Sequence, residues 1–393
     1  MNIKPIHPFP ARMAPEIAFI ETASLAPNSL VLDSMAGSGT SVRIASQQGH
    51  RAIAHDMDPL AVLMTKVWTT PINTSKLRIK ASDIATRARA LRSNATDLPW
   101  IDADKETGEF IDFWFDTPQR DDLRKISSLL VGDNRPLANA IRIALSRLII
   151  TKKRGASLAW DVSHSRPHKK RDTNDFQVIP EFLKSVEYVA KRLEDQPPPG
   201  NVRVSIADAR ELRNIEDGSV DAVLTSPPYL NAIDYMRGHK MALIWFGHKI
   251  SNLRVTRGAN VGSTRKPDAD ANAELAEILC EVLPAFDQLP DKEKGIVKRY
   301  ALDMHAVISE IHRALRPQGK AVFVIGNSCL KDVFIQNSLL ITTAAQRVGL
   351  ELVRERERDL PPSRRYLPPP AEGGQADLNK RMRTESILTF IKP

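Results

Sequence analysis

Two β-rich runs, each ending in an acid and each followed by a helical pattern, constrain this chain more than anything else in it. The first, Ser29-Leu30-Val31-Leu32-Asp33, enters a glycine turn and then a helix from about Thr40 to Gln48. The second, Arg51 to Asp56, precedes an apolar helical stretch from Pro59 to Trp68. A strand that hands over to a helix through a tight turn returns parallel to itself, so the pattern predicts a parallel α/β sheet.

The alternation then stops. Between about Ser75 and Pro199 the spacing is helical, as in Leu137, Ile141, Leu145 and Leu148, and in Ile179, Phe182, Val186 and Val189. A basic, turn-rich stretch, TKKRGASLAWDVSHSRPHKKR, separates these two helices, and Pro-Pro-Pro-Gly at 197–200 closes the segment. Strands resume at Val202–Ile206 and Val220–Thr225, and a polar segment from about Lys249 to Lys298 interrupts them again. A helix from Tyr300 to Leu315, stopped by Pro317 and Gly319, leads to a strand over Lys320–Ile325 and a helix over Val333–Val348. Leu350–Arg356 and Ser386–Ile391 are expected to pair as an antiparallel edge. The reading gives about seven strands, two insertions and no internal repeat. Its segments are 1–74, 75–200, 201–248, 249–298 and 299–393.

Composition removes several classes of function. Of 393 residues 42% are apolar, enough for a sizeable core, yet no run approaches the ~20 apolar residues that span a bilayer. MNIKPIHPFPARM lacks the apolar run of a signal peptide, so a cytoplasmic, prokaryotic setting is expected. The two cysteines, Cys280 and Cys329, are too few and too far apart for a disulfide framework or a cysteine-built zinc site. The net charge of +9 is compatible with a polyanionic partner without requiring one.

Three motifs carry chemistry. In VLDSMAGSGT, Val31–Thr40, Gly37 and Gly39 let the backbone turn tightly and approach a ligand, beside the free N–H groups of the following helix. No third glycine follows at the spacing of the dinucleotide fingerprint. In His55-Asp56-Met57-Asp58-Pro59, Asp56 is placed to accept two ribose hydroxyls, while Asp58, just before Pro59, reads as a helix cap. In Thr225-Ser226-Pro227-Pro228-Tyr229, directly after an apolar strand, two prolines fix the backbone and remove two amide donors. Neighbouring carbonyl oxygens can then face a pocket, and the tyrosine offers a flat surface to an extruded base.

Together with IAD at Asp208 and the continuation TSPPYLNAIDY, these motifs resemble those of the DNA amino-methyltransferases, the N4-cytosine and N6-adenine enzymes. HPFPARMAP resembles the segment that those enzymes place beside the methionine part of the cofactor. FVIGNS and NKRMRTESILTF resemble the closing strands of their catalytic core. The resemblance covers roughly residues 1–70 and 200–393, in the order of the permutations that begin with cofactor binding. It implies a seven-stranded Rossmann-like methyltransferase sheet with a mainly helical insertion, and S-adenosylmethionine as cofactor. It places Pro10, Ala11, Arg12, Asp33, Ala36, Gly37, Gly39, Thr40, Asp56, Met57, Asp208 and Ala209 around that cofactor. Ser226, Pro227, Pro228 and Tyr229 become the catalytic loop.

The implied reaction follows from the substrate. An exocyclic amine is a weak nucleophile because its lone pair is delocalised. Ser226 and the Pro227 carbonyl can accept its hydrogens, leaving direct attack on the sulfonium methyl, helped by orientation, with no metal and no thiolate. Serine before Pro-Pro-Tyr resembles the N4-cytosine enzymes, with N6-adenine, or an RNA base, as alternatives. Double-stranded DNA is the expected partner, and a cognate restriction endonuclease a candidate one. Lys152–Arg171 contains seven Lys or Arg against Asp161, and His164, Arg166, Lys169, Lys170 and Arg171 are its candidate DNA contacts. The 249–298 segment and Arg364, Arg365 and Tyr366 are rival recognition elements.

Overall fold

The computed structural model describes residues 3–10, 12–92, 95–230, 233–262, 272–360 and 384–393. The chain opens with α1 (Pro15–Ala23), β1 (Leu30–Asp33), α2 (Thr40–Gln47), β2 (Arg51–Asp56) and α3 (Pro59–Thr69). Six helices follow: α4 (Thr74–Ala90), α5 (Pro99–Asp102), α6 (Lys105–Trp114), α7 (Thr117–Ser128), α8 (Pro136–Ser146) and α9 (Val178–Asp195). Between α8 and α9 lies a small hairpin, β3 (Ala159–Trp160) with β4 (His168–Lys169). Then come β5 (Val202–Ile206), β6 (Val220–Thr225), α10 (Met236–Leu243), α11 (Ile250–Ala259), α12 (Ala273–Glu281) and α13 (Asp291–Ala314). The chain finishes with β7 (Leu315–Gly326), β8 (Ser328–Leu330), β9 (Val333–Ile335), α14 (Asn337–Arg347), β10 (Glu351–Asp359) and β11 (Thr384–Ile391).

Seven strands form one sheet in the order β10-β11-β7-β6-β1-β2-β5. The five strands from β5 to β7 are parallel, and β11 runs antiparallel between β7 and β10. The late pair is therefore antiparallel as expected, but β11 is interior and only β10 is an edge. That edge alternates Arg and Glu, which blunts pairing with other chains. The pleat sorts apolar residues between two cores. Val31, Leu224, Val322 and Val324 join the helices α1–α4 and α6–α10 on one face. Leu30, Leu32, Val223, Phe323 and Phe390 meet α12–α14 on the other. The helical segment after α3 shares the first core, with Ile141, Leu145, Phe182 and Val186 all buried in it.

Three sequence expectations are corrected. The helix expected over Val333–Val348 starts only at Asn337, because Lys331 and Asp332 adopt positive φ (49° and 66°) and close the hairpin β8–β9 before it. The helix expected from Tyr300 begins at Asp291, and its strand begins at once, at Leu315. Pro317 and Gly319 do not separate helix from strand. They sit in an irregularity of β7, where Gln318 (φ 61°) donates its amide to the Lys392 carbonyl. The described parts of the polar 249–298 segment carry α11, α12 and the start of α13.

Candidate active site

The chain crosses from one side of β1 to the other between β5 and β6. In such sheets ligands bind beyond the carboxyl ends of the strands flanking this switch point. All three motifs converge there. Asp33 ends β1, Asp56 ends β2, and Ser226 follows β6.

The turn after β1 is held tightly. Ala36 donates its amide to the His55 carbonyl at 2.8 Å, and Gly39 donates to Ala36. Gly39 has φ 81°, and a Cβ on it would lie 2.7 Å from the Thr65 side chain, so both backbone and space demand glycine. Gly37 has φ 51°, and a Cβ there would come within 3.1 Å of the Phe9 ring. Gly39 is the N-cap of α2 and supplies no side-chain cap, so the first amides of this eight-residue helix lack one. Buried Thr40 opens that helix, its hydroxyl 3.3 Å from Ser38.

Asp56 accepts from the Gly37 amide at 2.8 Å and from the Asp58 amide at 2.9 Å. Burial, followed by the charge of Asp58, pushes its carboxyl up to about 7. One oxygen is fixed by each amide, and the second lone pair of each remains for a hydroxyl pair. These features, an anchored carboxylate beside two close-approach glycines, fit the ribose and the adjoining chain of a nucleoside cofactor. Met57 is half-buried beside it. Asp58 is a cap as expected, its Oδ1 accepting from Leu60 at 2.9 Å.

Asp33 lies at the start of the same turn. It is buried, and its carboxylate is taken up by the Met35 amide, the Ser41 hydroxyl and the Thr225 hydroxyl, the last at 2.8 Å. Burial pushes its carboxyl up to about 6 against those three bonds. Asp33 therefore braces the glycine turn against the strand that carries the catalytic loop.

In that loop the Ser226 hydroxyl donates to the Val324 carbonyl at 3.0 Å. With its proton so placed, the Ser226 oxygen faces other partners as an acceptor only. Pro227 is buried and Pro228 half-buried. The half-buried Tyr229 donates its hydroxyl to Glu385 Oε1 at 3.1 Å, a partner 156 residues away in the chain. Ser328 and Asn337 steady the same loop, through Ser328 to the Leu230 carbonyl (2.6 Å) and Asn337 to Ser328 (2.8 Å).

The amino-terminal segment reaches the site by an unforeseen residue, Phe9, which stacks on Tyr235 with centroids 4.7 Å apart and planes 18° from parallel. His7 pins the segment to α8, one ring nitrogen 2.8 Å from Ser146 Oγ, and burial drops it to about 3. Pro10 and Arg12 are half-buried; Ala11 lies outside the described residues. Asp208 is drawn into a clasp with Arg210, at 2.7 Å, which also reaches Asp303 and the Ala259 carbonyl. Ala209 is buried in the second core.

The basic hairpin sits against the substrate loop's helix. A Cβ on Gly238 of α10 would lie 2.6 Å from the Val162 carbonyl, and Ser165 donates to the Tyr235 carbonyl at 3.2 Å. His164, Arg166, His168, Lys169 and Lys170 are exposed. Lys169 pairs with Asp172 and lies over the exposed ring of Phe113. Arg171 is half-buried and donates from one guanidinium nitrogen to the Gly155 and Ser157 carbonyls. Arg364, Arg365, Tyr366 and residues 263–271 lie outside the described residues. Cys280 is buried, its thiol pushed up to about 12, and Cys329 is half-buried. Among the described residues no helix is long and apolar enough to cross a membrane.

No family model matches the chain. It is 24% identical, over 391 residues, to the type II methyltransferase M.MvaI of Kocuria varians, covering 91% of this chain and 84% of that one. To the type II methyltransferase M.BsoBI of Geobacillus stearothermophilus it is 23% identical over 260 residues, about half of each chain. Solved structures resemble it distantly. A TehB-like S-adenosylmethionine-dependent methyltransferase from Corynebacterium glutamicum aligns with 97% of this chain and 89% of its own at 12% identity and a TM-score of 0.31. One from Methanosarcina mazei aligns at 9% identity and a TM-score of 0.33, with 97% and 98% covered. By sequence, the chain is similar to type II methyltransferases, and its motifs meet on a seven-stranded, mixed sheet.

Proposed function

We propose that the protein methylates DNA, moving a methyl group from S-adenosylmethionine onto the N4 amine of a cytosine turned out of the duplex. The observation that carries this reading is the Ser226 hydroxyl, committed as a donor to Val324 and so an acceptor toward a substrate. An amine with two hydrogens needs acceptors, and Ser226 with the Pro227 carbonyl supplies them. Holding those hydrogens favours a pyramidal nitrogen whose lone pair is available. When bound, S-adenosylmethionine supplies a methyl carbon on a positively charged sulfur, open to a single displacement. Asp56 and the Gly37–Gly39 turn would hold the cofactor. The displacement breaks the sulfur–methyl bond, releases S-adenosylhomocysteine and leaves the methylated nitrogen with one proton too many, which passes to solvent, while Asp33, braced to Thr225, keeps the two loops in register. A serine hydroxyl accepts from an adenine amine as readily, so the base rests on the resemblance to the N4-cytosine enzymes. The exposed His164, Arg166, Lys169 and Lys170, on a hairpin seated against α10, are the proposed grip on the DNA backbone.

Tyr229 variants test the loop. Tyr229→Ala removes a stacking face worth about 1–3 kcal/mol, so methyl transfer should fall by roughly 5- to 150-fold while cofactor affinity holds. Tyr229→Phe keeps the ring and loses one hydrogen bond, worth about 0.5–1.5 kcal/mol, so it should retain much of the activity. Cys280→Ser and Cys329→Ser should both stay active. Full activity in Tyr229→Ala would remove the tyrosine from the mechanism.

A further inference from the structure

The contacts around the glycine turn close into a ring. Gly37 faces the Phe9 ring, and Phe9 stacks on Tyr235, which immediately precedes α10. One helical turn later His239 lies 5.7 Å from the Phe9 ring centroid and 6.1 Å from that of Tyr235. Its Nδ1 donates to Asp58 Oδ2 at 2.5 Å. The Asp58 amide donates to Asp56, and the other oxygen of Asp56 accepts from the amide of Gly37. The circuit thus passes once through the proposed cofactor contacts and once through the helix that continues the catalytic loop.

Fold stability does not explain the polar half of this ring. His239 and Asp58 are 1% and 6% exposed. Capping α3 requires only the Asp58 oxygen that meets Leu60. A buried imidazole–carboxylate pair is often no more stable than apolar residues of the same volume. The aromatic half is equally pointed, since Phe9 comes from a segment pinned far along the chain by His7 to Ser146.

We propose that Phe9, Tyr235, His239 and Asp58 are positioning residues through which the cofactor site and the substrate loop sense each other's occupancy. A ligand that pulls on Asp56 or the Gly37 turn shifts Asp58 and Phe9, and with them the start of α10. A base held by residues 226–229 acts on that same start of α10, which follows the loop in the chain. Each ligand therefore tightens the other, since coupling between two sites is reciprocal. The inference rests on the methyltransferase reading, and its test is separable from it.

Calorimetry with S-adenosylhomocysteine, with and without an excess of long unmethylated bacterial DNA, reads the coupling directly. The wild type should bind it at least about fivefold more tightly with DNA present, the lower end of usual coupling. Phe9→Leu and His239→Gln keep volume and should fold, which a thermal melt checks. In both, the DNA effect should shrink to less than twofold. A wild type with less than a fivefold effect, or variants that keep it, would overturn the inference. Wild-type protein that transfers no methyl to DNA would instead overturn the function on which it rests.

Discussion

Asp56 and Asp33 are both carboxylates at strand ends, yet they do different work. Asp56 keeps lone pairs toward the ligand side, whereas Asp33 spends its oxygens on Met35, Ser41 and Thr225. Asp56→Ala should cost S-adenosylmethionine binding about 1.5–3 kcal/mol per charged hydrogen bond lost. Because only the ionised carboxylate accepts two hydroxyls, wild-type affinity should improve as pH rises through about 7. The stability effect has the opposite sign. A carboxyl raised in the folded state holds a proton there that the unfolded chain releases above its ordinary value near 4, so its contribution declines as pH rises toward 7. His7, lowered by burial, opposes this, since its contribution is lost as pH falls below its ordinary value. The comparison must therefore be between variants: Asp56→Asn should gain stability relative to wild type between pH 5 and 8, measured by thermal melts. A constant difference would show that Asp56 does not titrate in that window. Asp58 was legible as a cap, and Asp56 and Ser226 as residues placed at strand ends, because each follows from position beside a strand end or a proline. Phe9, Thr225, His239 and Glu385 were not, because each acts through a partner distant in sequence.

Elements whose signal is local were legible, and those shaped by tertiary pairing were not. The strand–turn–helix units β1–α2 and β2–α3 lie where their patterns put them. Strand β9 was hidden at the start of the run Val333–Val348 that reads as helix, because its partner β8 and the turn at Lys331 and Asp332 both lie before that run. The basic hairpin was legible as charge, but not as a braced element in which Arg171 faces inward. This division gives a contrast between variants. Replacing Arg166 and Lys170 with Ala should weaken DNA binding and lower its salt slope by up to about one unit per lost phosphate contact. Arg171→Ala should instead lower thermal stability, because it leaves the Gly155 and Ser157 carbonyls to the Asn174 amide alone. An unchanged salt slope in the double variant would move the DNA surface to the 249–298 segment. Gly238→Ala, which would press on the Val162 carbonyl, should unseat the hairpin and weaken DNA binding without touching the cofactor turn.

At the scale of the molecule, one sheet brings together motifs nearly two hundred residues apart, and the Thr225–Asp33 bond at 2.8 Å is where they meet. The helical segment between them adds to the same apolar core, so its length does not disturb the site. What the sequence could not convey was how it packs: periodicity reports which face of a helix is apolar, not which neighbour covers it. In the proposed reaction an oriented exocyclic amine takes the methyl group directly. Mass spectrometry of DNA digested to nucleosides after incubation with the protein and isotope-labelled S-adenosylmethionine reads the product. Label in N4-methylcytosine is expected. Label in N6-methyladenine would change the base and keep the chemistry, whereas label in 5-methylcytosine, or none in DNA, would contradict it.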